Sequence, residues 1–439
     1  MSVAAATAAN TIDWKPEDAA TLADPYPLFA RMRDEDPCHW SPRLKSWVLT
    51  RYEDVKRVCL DKERYSSDRL RPFFASMPGA EAARIGDIVR YLSLWMVFKD
   101  PPEHTRLRRL AAKVFSAKAM QAMRPQVEEI SRRLLAALDG RGHGDQSNGE
   151  QRIDLVADYA GPLPCLVIMA MLGVPRESLG EVKRLSDEIA LFIGSARTSP
   201  EKYDTAEAAT QAMAAFFRDL IAERRNGREE PPPDALSELV HLRDDDGDRF
   251  TDDELVATCI LMLFAGHETT TNHIANGMYS LMKFPGEMQR LRADPTLAAA
   301  AVEELLRYEG PSGAQVRIVA VAHQLHSKRL EPGQRVFLML NAANRDPRVY
   351  AEPDRLDLTR DGVPHLTFGY GMHICLGFPL ARTEGAVAFP ALLAHYAQIE
   401  PTYGEGSEGG EGAERHVPEW INSLVFRGMK SLPVRVRRA

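Results

Sequence analysis

The chain has 439 residues, of which 44% are hydrophobic and 27% charged, a composition typical of a globular protein. Lys and Arg number 55 and Asp and Glu number 62, so the net charge is −7 and does not favour a nucleic-acid-binding protein. The amino terminus lacks the basic and apolar regions of a secretion signal, and the most apolar run, Leu255–Ala265, is shorter than the roughly 20 residues of a membrane span. The five cysteines are scattered and odd in number, as is typical of proteins in a reducing compartment. We therefore expect a cytoplasmic protein with no nucleic-acid or membrane partner.

Three polar stretches rich in Gly or Pro are predicted to be surface loops: Gly140–Arg152, Asn226–Ala235 and Tyr403–Glu414. Length alone would favour about three domains. The motifs described below nevertheless lie on both sides of the first two loops. We therefore predict a single domain over residues 1–439, with a flexible amino terminus over residues 1–20.

The first two-thirds of the chain is predicted to be mainly helical. Thr251 with Glu254 forms a capping box, and Asp294 followed by Pro295 is a second helix start. The predicted helices cover 119–138, 206–225, about 251–279 and about 294–308.

Strands are predicted mainly after residue 310, where apolar runs are separated by the turn at Glu331–Gly333. The predicted strands are Arg317–Leu325 and Val336–Leu340, with shorter candidates at Trp47–Thr50 and Val434–Val436. The predicted fold is therefore mainly α, with a minor β-sheet region built from distant segments.

The segment Phe368–Gly377 (FGYGMHICLG) combines three glycines with a single cysteine. Glycines permit tight turns and a close approach of the backbone to a flat ligand. Cys375 precedes an apolar segment that is predicted to be a helix, and a helix amino terminus lowers the pKa of a thiol. The predicted thiolate could ligate iron. The other four cysteines are interpreted as buried structural residues.

This segment matches the haem-binding pattern Phe-x-x-Gly-x-x-x-Cys-x-Gly at every fixed position, so the chain resembles the cytochrome P450 family of haem-thiolate monooxygenases. The resemblance implies haem b, with Cys375 as the axial ligand of the iron and Phe368 and Gly377 beside the cofactor. It also implies the cytochrome P450 fold, with the haem between a long central helix and the cysteine loop with its following helix.

A second match is Ala265–Thr270 (AGHETT), inside the long apolar helix. The Thr269 hydroxyl can bond back to the carbonyl of Ala265, and Gly266 weakens the helix, so we expect a local distortion there. The resemblance implies that Ala265 lies at the haem and that Glu268 and Thr269 relay protons during dioxygen activation. His267 is expected to pack on another side of the helix.

Two further matches concern charged residues. Glu304 and Arg307 share one helix face, and the resemblance implies that Arg355 completes a buried structural triad with them. His104 and Arg108 share another helix face. The resemblance assigns these two to the haem propionates, together with Arg317 and His373, and arginine is well suited to carboxylates.

The implied electrons originate from NAD(P)H. The sequence shows no nucleotide-binding glycine fingerprint and no cysteine cluster, so a separate ferredoxin and ferredoxin reductase are the expected partners of a monomeric enzyme. The basic residues Arg106, Arg109, Lys113 and Lys118 either meet an acidic ferredoxin or form a solvated helix face.

The expected reaction inserts one oxygen atom of O2 into a hydrophobic small molecule, by C–H hydroxylation or epoxidation. Terpenoid, polyketide, fatty-acid and aromatic-acid substrates remain open, as do a peroxide-driven peroxygenase and a non-catalytic haem-binding protein. The predicted substrate pocket is drawn from the region 73–98 and from later segments. Its specific candidates are Trp95, Val97, Phe98, Leu261, Phe264, Gln315, Val316, Leu424 and Val425.

Overall fold

The computed structural model describes residues 12–139, 150–193, 200–226, 232–402 and 418–439. Residues 1–11, residues 140–149 of the first predicted loop, residues 227–231 of the second and the whole of the third lie outside these ranges. Trp14 is buried and its ring lies 6.3 Å from that of Phe29, so the predicted flexible stretch 1–20 extends too far. Residues 150–152 of the first predicted loop belong instead to a strand.

Seventeen α-helices run through the described residues. Those of the first half are α1 (Ala19–Ala23), α2 (Tyr26–Glu35), α3 (Tyr52–Leu60), α4 (Leu70–Ala75), α5 (Gly79–Arg84), α6 (Glu103–Val114), α7 (Ala117–Ala122), α8 (Arg124–Asp139), α9 (Pro162–Met171) and α10 (Leu179–Ile193). Those of the second half are α11 (Pro200–Asn226), α12 (Ala235–His241), α13 (Asp252–Lys283), α14 (Pro285–Ala293), α15 (Ala298–Tyr308), α16 (Leu340–Ala343) and α17 (Phe378–His395).

The predicted helices are present with shifted ends. The helix predicted over 119–138 is two helices, α7 and α8, and Pro125 lies in the first turn of the second. The capping box at the start of α13 is confirmed, since the Glu254 amide donates to Thr251 Oγ1 at 3.2 Å and the Thr251 amide donates to Glu254 Oε2 at 2.9 Å. Asp294 caps a 3₁₀ turn, Pro295–Leu297, that precedes α15.

The described strands form three small sheets. The strands are β1 (Cys38–Ser41), β2 (Ser46–Leu49), β3 (Tyr65–Ser66), β4 (Glu150–Asp154), β5 (Ala314–Val319), β6 (His323–Leu325), β7 (Lys328–Leu330), β8 (Arg335–Met339), β9 (Tyr396–Pro401) and β10 (Pro433–Arg438). The sheet orders are β1-β2-β8-β5-β3, β4-β10-β9 and β6-β7, and only the β2–β8 pair is parallel. The strand predicted over 317–325 is in fact two strands, because β6 leaves the larger sheet to pair with β7. The predicted class, mainly α with a minor sheet from distant segments, is confirmed.

The long helix α13 lies at the centre of the core, where it packs against α9, α15 and α17. A β-carbon at Gly277 would lie 2.5 Å from the Phe389 ring of α17, so the two helices cross too closely for a side chain there. None of the described helices combines the length and the apolarity that crossing a membrane requires.

A buried ion pair joins α15 to the loop that follows α16. Arg307 donates to both oxygens of Glu304, at 2.7 and 2.8 Å, and to three backbone carbonyls of that loop. The third side chain of the group is Arg360, whose Nε donates to Glu304 Oε1 at 3.1 Å. This corrects the expectation for Arg355, whose exposed guanidinium pairs with Glu352 and contributes only its backbone carbonyl to Arg307.

We predict that Glu304→Gln destabilises the protein and that Arg355→Gln does not. Removing the Glu304 charge leaves buried guanidinium groups without their counterion, which typically costs about 3–5 kcal/mol. Arg355 is exposed, so its replacement should change the free energy of unfolding by less than about 0.5 kcal/mol. Denaturant unfolding of the haem-loaded variants measures both values. Equal effects of the two substitutions would contradict the assignment of Arg360 to the triad.

Candidate active site

The loop before α17 presents Cys375 to a cavity that residues of α6, α9, α13 and α17 also line. Gly369 and Gly371 have φ values of +73° and +72°, a backbone conformation that other residues rarely adopt. The Cys375 amide donates to the Phe368 carbonyl at 2.8 Å, which closes the loop on itself. The cysteine therefore has a fixed position two residues before Gly377, which is the N-cap residue of α17.

Burial is the largest influence on the Cys375 thiol and raises its pKa. The amides of Gly377 and Phe378 and the Arg108 guanidinium act in the opposite direction but do not outweigh burial. The amides at the helix amino terminus therefore lower the pKa as expected, but the larger effect of burial makes the net shift upward. A metal ion that binds the sulfur deprotonates a thiol outright, so this thiol fits a metal ligand better than a free nucleophile.

An ion pair that the sequence patterns did not reveal positions the Phe368 ring. Arg382 donates to both carboxylate oxygens of Glu303, at 2.6 and 2.8 Å. Its guanidinium lies 5.0 Å from the centroid of the Phe368 ring and 4.8 Å from that of Phe378. Burial tends to raise the pKa of Glu303, but hydrogen bonds from Arg382 and His365 lower it to about 2, so Glu303 is a carboxylate. The pair thus fixes one side of the cysteine loop.

The empty space in the cavity and its mouth amounts to about 1240 Å³, which includes the part open to solvent. It is lined by eight of the residues expected to hold the cofactor or the proton relay: His104, Arg108, Ala265, Thr269, Phe368, His373, Cys375 and Gly377. Three predicted pocket residues also line it: Val97, Leu261 and Gln315. Met96, from the predicted region 73–98, lines it as well, and the lining residues that the sequence did not reveal include Ile168, Met262, Thr270, His273 and Glu384.

Cationic and imidazole side chains cluster on one side of the cavity without anionic partners in it. Both ring nitrogens of His104 are buried and have no hydrogen-bond partner among the described residues. Burial and the nearby Arg108 lower the pKa of His104 to about 4, and burial and Arg317 lower that of His373 to about 3. Arg317 itself is buried beside the cavity and donates to the Val316 carbonyl at 3.0 Å. Groups that repel one another in this way fit a ligand that carries carboxylates, as haem does.

Thr269 and Glu268 point in different directions. The Thr269 hydroxyl lines the cavity and donates to the Ala265 carbonyl at 3.0 Å, as predicted. Glu268 does not line the cavity, and its Oε1 accepts a hydrogen bond of 3.4 Å from Asn272. The expected distortion is not a break, since α13 stays helical throughout. Gly266 is required because a β-carbon there would lie 2.8 Å from Ile168 Cγ1 of α9.

Several predicted pocket residues belong to the packing around the cavity and do not line it. Trp95 lies 6.0 Å from Phe98 and 5.5 Å from Phe264 between ring centroids, in an aromatic cluster behind Met96. Three others lie near β5 and the carboxyl-terminal segment: Val316, Leu424 and Val425. Position along the chain suggested these residues as pocket candidates but could not show which face of each segment meets the cavity.

The Gln315 amide lines the cavity but is held by its neighbours. Its Oε1 accepts a hydrogen bond of 3.4 Å from Arg317, and its Nε2 lies 2.5 Å from where a β-carbon of Gly369 would stand. The Gln315 side chain therefore packs against the cysteine loop. Because Oε1 already accepts a hydrogen bond and Nε2 lies against Gly369, the amide is poorly placed to bind a substrate.

The basic stretch on α6 is largely neutralised by an acidic loop that precedes α13. Arg106 pairs with Glu254, Arg109 with Asp244 at 2.7 Å, and Lys113 with Asp245 at 3.0 Å. For Arg106, Arg109 and Lys113, the interpretation as a surface for an acidic ferredoxin loses its main support, because the charges of these three residues are already compensated.

The long helix α13 and the glycine-rich cysteine loop thus line one cavity that has a cationic side. This arrangement fits a helical protein that binds a flat anionic cofactor. The family model for cytochrome P450 matches residues 37–403. The chain is 36% identical to the cytochrome P450 monooxygenase PikC of Streptomyces venezuelae, over 95% of this chain and 92% of that protein. It is 34% identical to the 6-deoxyerythronolide B hydroxylase of Saccharopolyspora erythraea, over 94% and 96%.

Among solved structures, that of CalO2 superimposes with a TM-score of 0.83 at 30% identity and covers 98% of this chain and 100% of its own. This chain belongs to the cytochrome P450 family. It is therefore a monooxygenase that uses haem, O2 and electrons from NAD(P)H delivered by redox partners, and it acts on small hydrophobic substrates.

We predict that Gly266→Ala destabilises the protein although alanine favours a helix by about 1 kcal/mol over glycine. The added methyl group overlaps the β-branched Ile168 side chain, and overpacking of this kind typically costs about 1–3 kcal/mol. Gly286→Ala in α14 is the matched control, because a β-carbon there meets nothing within 4 Å. Thermal unfolding measures both, and a double-mutant cycle with Ile168→Ala should show positive coupling. A Gly266→Ala variant as stable as the parent would refute the proposed contact.

Proposed function

We propose that this enzyme inserts one oxygen atom of O2 into a C–H bond of a hydrophobic small molecule, and that the Cys375 sulfur would hold the iron of a haem b cofactor. The observation that carries this proposal is that Cys375 and Thr269 line one cavity from two different elements, the loop before α17 and the centre of α13. A proton-relaying alcohol and a metal-binding sulfur in one cavity support dioxygen chemistry more directly than simple haem storage.

The donor set supports haem as the cofactor. His104, Arg108, Arg317 and His373 are the proposed partners of the two propionates, and their unpaired or mutually repelling groups would gain compensating charges. Ala265 is exposed to the cavity and carries no side chain beyond its β-carbon, so it leaves room for a flat ring. Phe368 and Gly377 complete the proposed walls beside the cysteine.

The haem, when bound, supplies electron transfer to dioxygen and the oxidation of the substrate. The protein supplies protons and excludes water. We assign Thr269 Oγ1 as the last protein atom to hold a proton on its way to the cavity, because Thr269 lines the cavity at the centre of α13. Its hydrogen bond to the Ala265 carbonyl holds that hydroxyl in place. Glu268 is the proposed acid that restores the proton to Thr269.

The substrate side of the cavity is apolar. Its walls include Met96, Val97, Ile168, Leu261 and Met262, and methionine side chains adapt to ligands of irregular shape. A hydrophobic molecule without charge fits this lining best. The relative whose name states a hydroxylase of 6-deoxyerythronolide B supports hydroxylation over epoxidation as the main reaction.

We further propose that the chain acts as a single-domain monomer and receives its electrons from a ferredoxin and a ferredoxin reductase. The family model spans residues 37–403 without a division, which supports one domain. Because acidic residues compensate the basic residues of α6, the proposed ferredoxin contacts another face of the molecule.

We predict that Thr269→Ala separates two modes of turnover. Driven by NADH, ferredoxin reductase and ferredoxin, product formation should fall by at least about tenfold while NADH oxidation continues and peroxide is released, because a positioned proton donor is lost. Driven by added hydrogen peroxide, the variant should keep most of its activity, because peroxide already carries the protons that Thr269 delivers.

Thr271→Val is the control for this experiment, since Thr271 lies in the same helix but does not line the cavity. The assay measures product, NADH and peroxide together. Wild-type coupling in Thr269→Ala would remove this residue from the relay. Turnover of the wild-type enzyme by peroxide alone, with none through ferredoxin, would replace the monooxygenase by a peroxygenase.

A further inference from the structure

His267 lies directly before the acid Glu268 but on the opposite side of α13 from the cavity. Its side chain is buried and packs against α10. Ser186 Oγ lies 3.3 Å from Nδ1 of the imidazole. The other ring nitrogen, Nε2, lies 3.6 Å from Asp187 Oδ1 and 4.0 Å from Glu268 Oε2. One imidazole nitrogen therefore stands between two carboxylates.

The two carboxylates differ in their access to solvent. The Asp187 side chain is 45% exposed, that of Glu268 is 16% exposed, and that of His267 between them is 2% exposed. Glu268 does not line the cavity, whereas its neighbour Thr269 does. The groups therefore form a continuous series from the surface of α10, through the imidazole, to the residue beside the cavity hydroxyl.

The surrounding charges keep Asp187 ionised. Burial tends to raise its pKa, but the interactions with His267 and Lys183 outweigh that effect and hold the pKa below the ordinary value. Lys183 Nζ lies 2.7 Å from Asp187 Oδ2. The titratable group that α9 brings to this site is Cys165, whose thiol is neutral because burial raises its pKa to about 12. An ionised Asp187 favours a proton on Nε2 of His267.

We propose that Asp187 and His267 form the solvent inlet of the proton relay, a role that rests on the proposed function of Glu268 and Thr269. In each cycle the doubly protonated His267, whose Nδ1–H donates to Ser186 Oγ, passes its Nε2 proton to the Glu268 carboxylate and becomes a neutral imidazole, and Nε2 then takes up a proton that bulk solvent delivers as hydronium at Asp187. Ser186 holds Nδ1, so the exchange occurs at one nitrogen. The separations of 3.6 and 4.0 Å exceed a direct hydrogen bond and require one bridging water or a small side-chain rotation.

The arrangement also ties proton supply to the position of α10. Asp187 belongs to α10, whereas His267 and Glu268 belong to α13, so the series is complete only while these two helices stay in contact. Asp187 and His267 act through Glu268 and are relay residues, which do not touch the substrate.

The test compares Asp187→Asn and His267→Gln with Glu188→Gln. Glu188 is the matched control because it is the next acid on α10 and also pairs with a basic residue one turn earlier, Arg184 at 2.8 Å. Ferredoxin-driven product formation should fall by about tenfold in the two relay variants, with more peroxide released and a changed solvent isotope effect, and should stay unchanged in Glu188→Gln. Peroxide-driven turnover should be unaffected in all three. Asp187→Glu should keep most of the ferredoxin-driven rate.

A second readout does not depend on turnover. In protein labelled with ¹⁵N-histidine, the signal that is missing in His267→Gln identifies this imidazole. Its titration midpoint should shift to lower pH in Asp187→Asn, because a neighbouring negative charge is lost, and should not move in Glu188→Gln. A midpoint that is the same in the parent and in Asp187→Asn would overturn the contact on which the relay depends.

The outcomes separate this inference from the proposed function. A parent enzyme that turns over through ferredoxin, with Asp187→Asn and His267→Gln equally well coupled, overturns the inlet alone. Equal losses in ferredoxin-driven and peroxide-driven turnover would show a structural role and would also overturn it. A parent enzyme that gives no ferredoxin-driven product overturns the proposed function and the inlet together.

Discussion

The structure depends on the close packing of α13 against its neighbours, because this one helix forms a wall of the cavity and carries the residues proposed to relay protons. Gly266 admits Ile168 of α9 on one side, and Gly277 admits Phe389 of α17 on the other. Any side chain at these two positions would push the helices apart by a fraction of an ångström or more. Since α17 follows the cysteine loop directly, the distance between Thr269 and Cys375 is set by this packing.

In the protein without a bound ligand, the charges around the site lower the stability of the fold. His104 is buried, and both of its ring nitrogens lack a hydrogen-bond partner among the described residues. Arg108 and Arg317 lower the pKa of His104, and His104 in turn lowers the pKa of His373. Such groups destabilise a fold unless an anionic ligand compensates them. The remote ion pair of Glu304 with Arg307 is fully matched and contributes no such strain. Stability and cofactor binding are therefore carried by different buried charges.

The spacing of residues in the sequence predicted the site correctly where the interacting groups are close in sequence. Examples are the glycines around Cys375 and the hydrogen bond of Thr269 to the Ala265 carbonyl. Spacing failed where the partner comes from a distant segment. Arg360 replaces Arg355 beside Glu304 because the fold of the intervening loop decides which guanidinium is buried. The basic residues of α6 meet an acidic loop about 140 positions later, as Lys113 meets Asp245, and no local pattern could show that pairing. Likewise, hydrophobicity marked Trp95 as buried, but the side of the chain that faces the cavity is decided by tertiary packing.

The central claim, that Cys375 binds the haem iron as a thiolate, is tested most directly by the absorption difference spectrum of the reduced protein with and without carbon monoxide. The parent and a Cys59→Ala control should show the strongly red-shifted Soret band of a sulfur-ligated haem, whereas Cys375→Ala should lose it. Cys59 is a fitting control because it is a second buried thiol close to the same loop, next to Gly371. A parent spectrum typical of histidine-ligated haem, or a red-shifted band that persists in Cys375→Ala, would contradict the account.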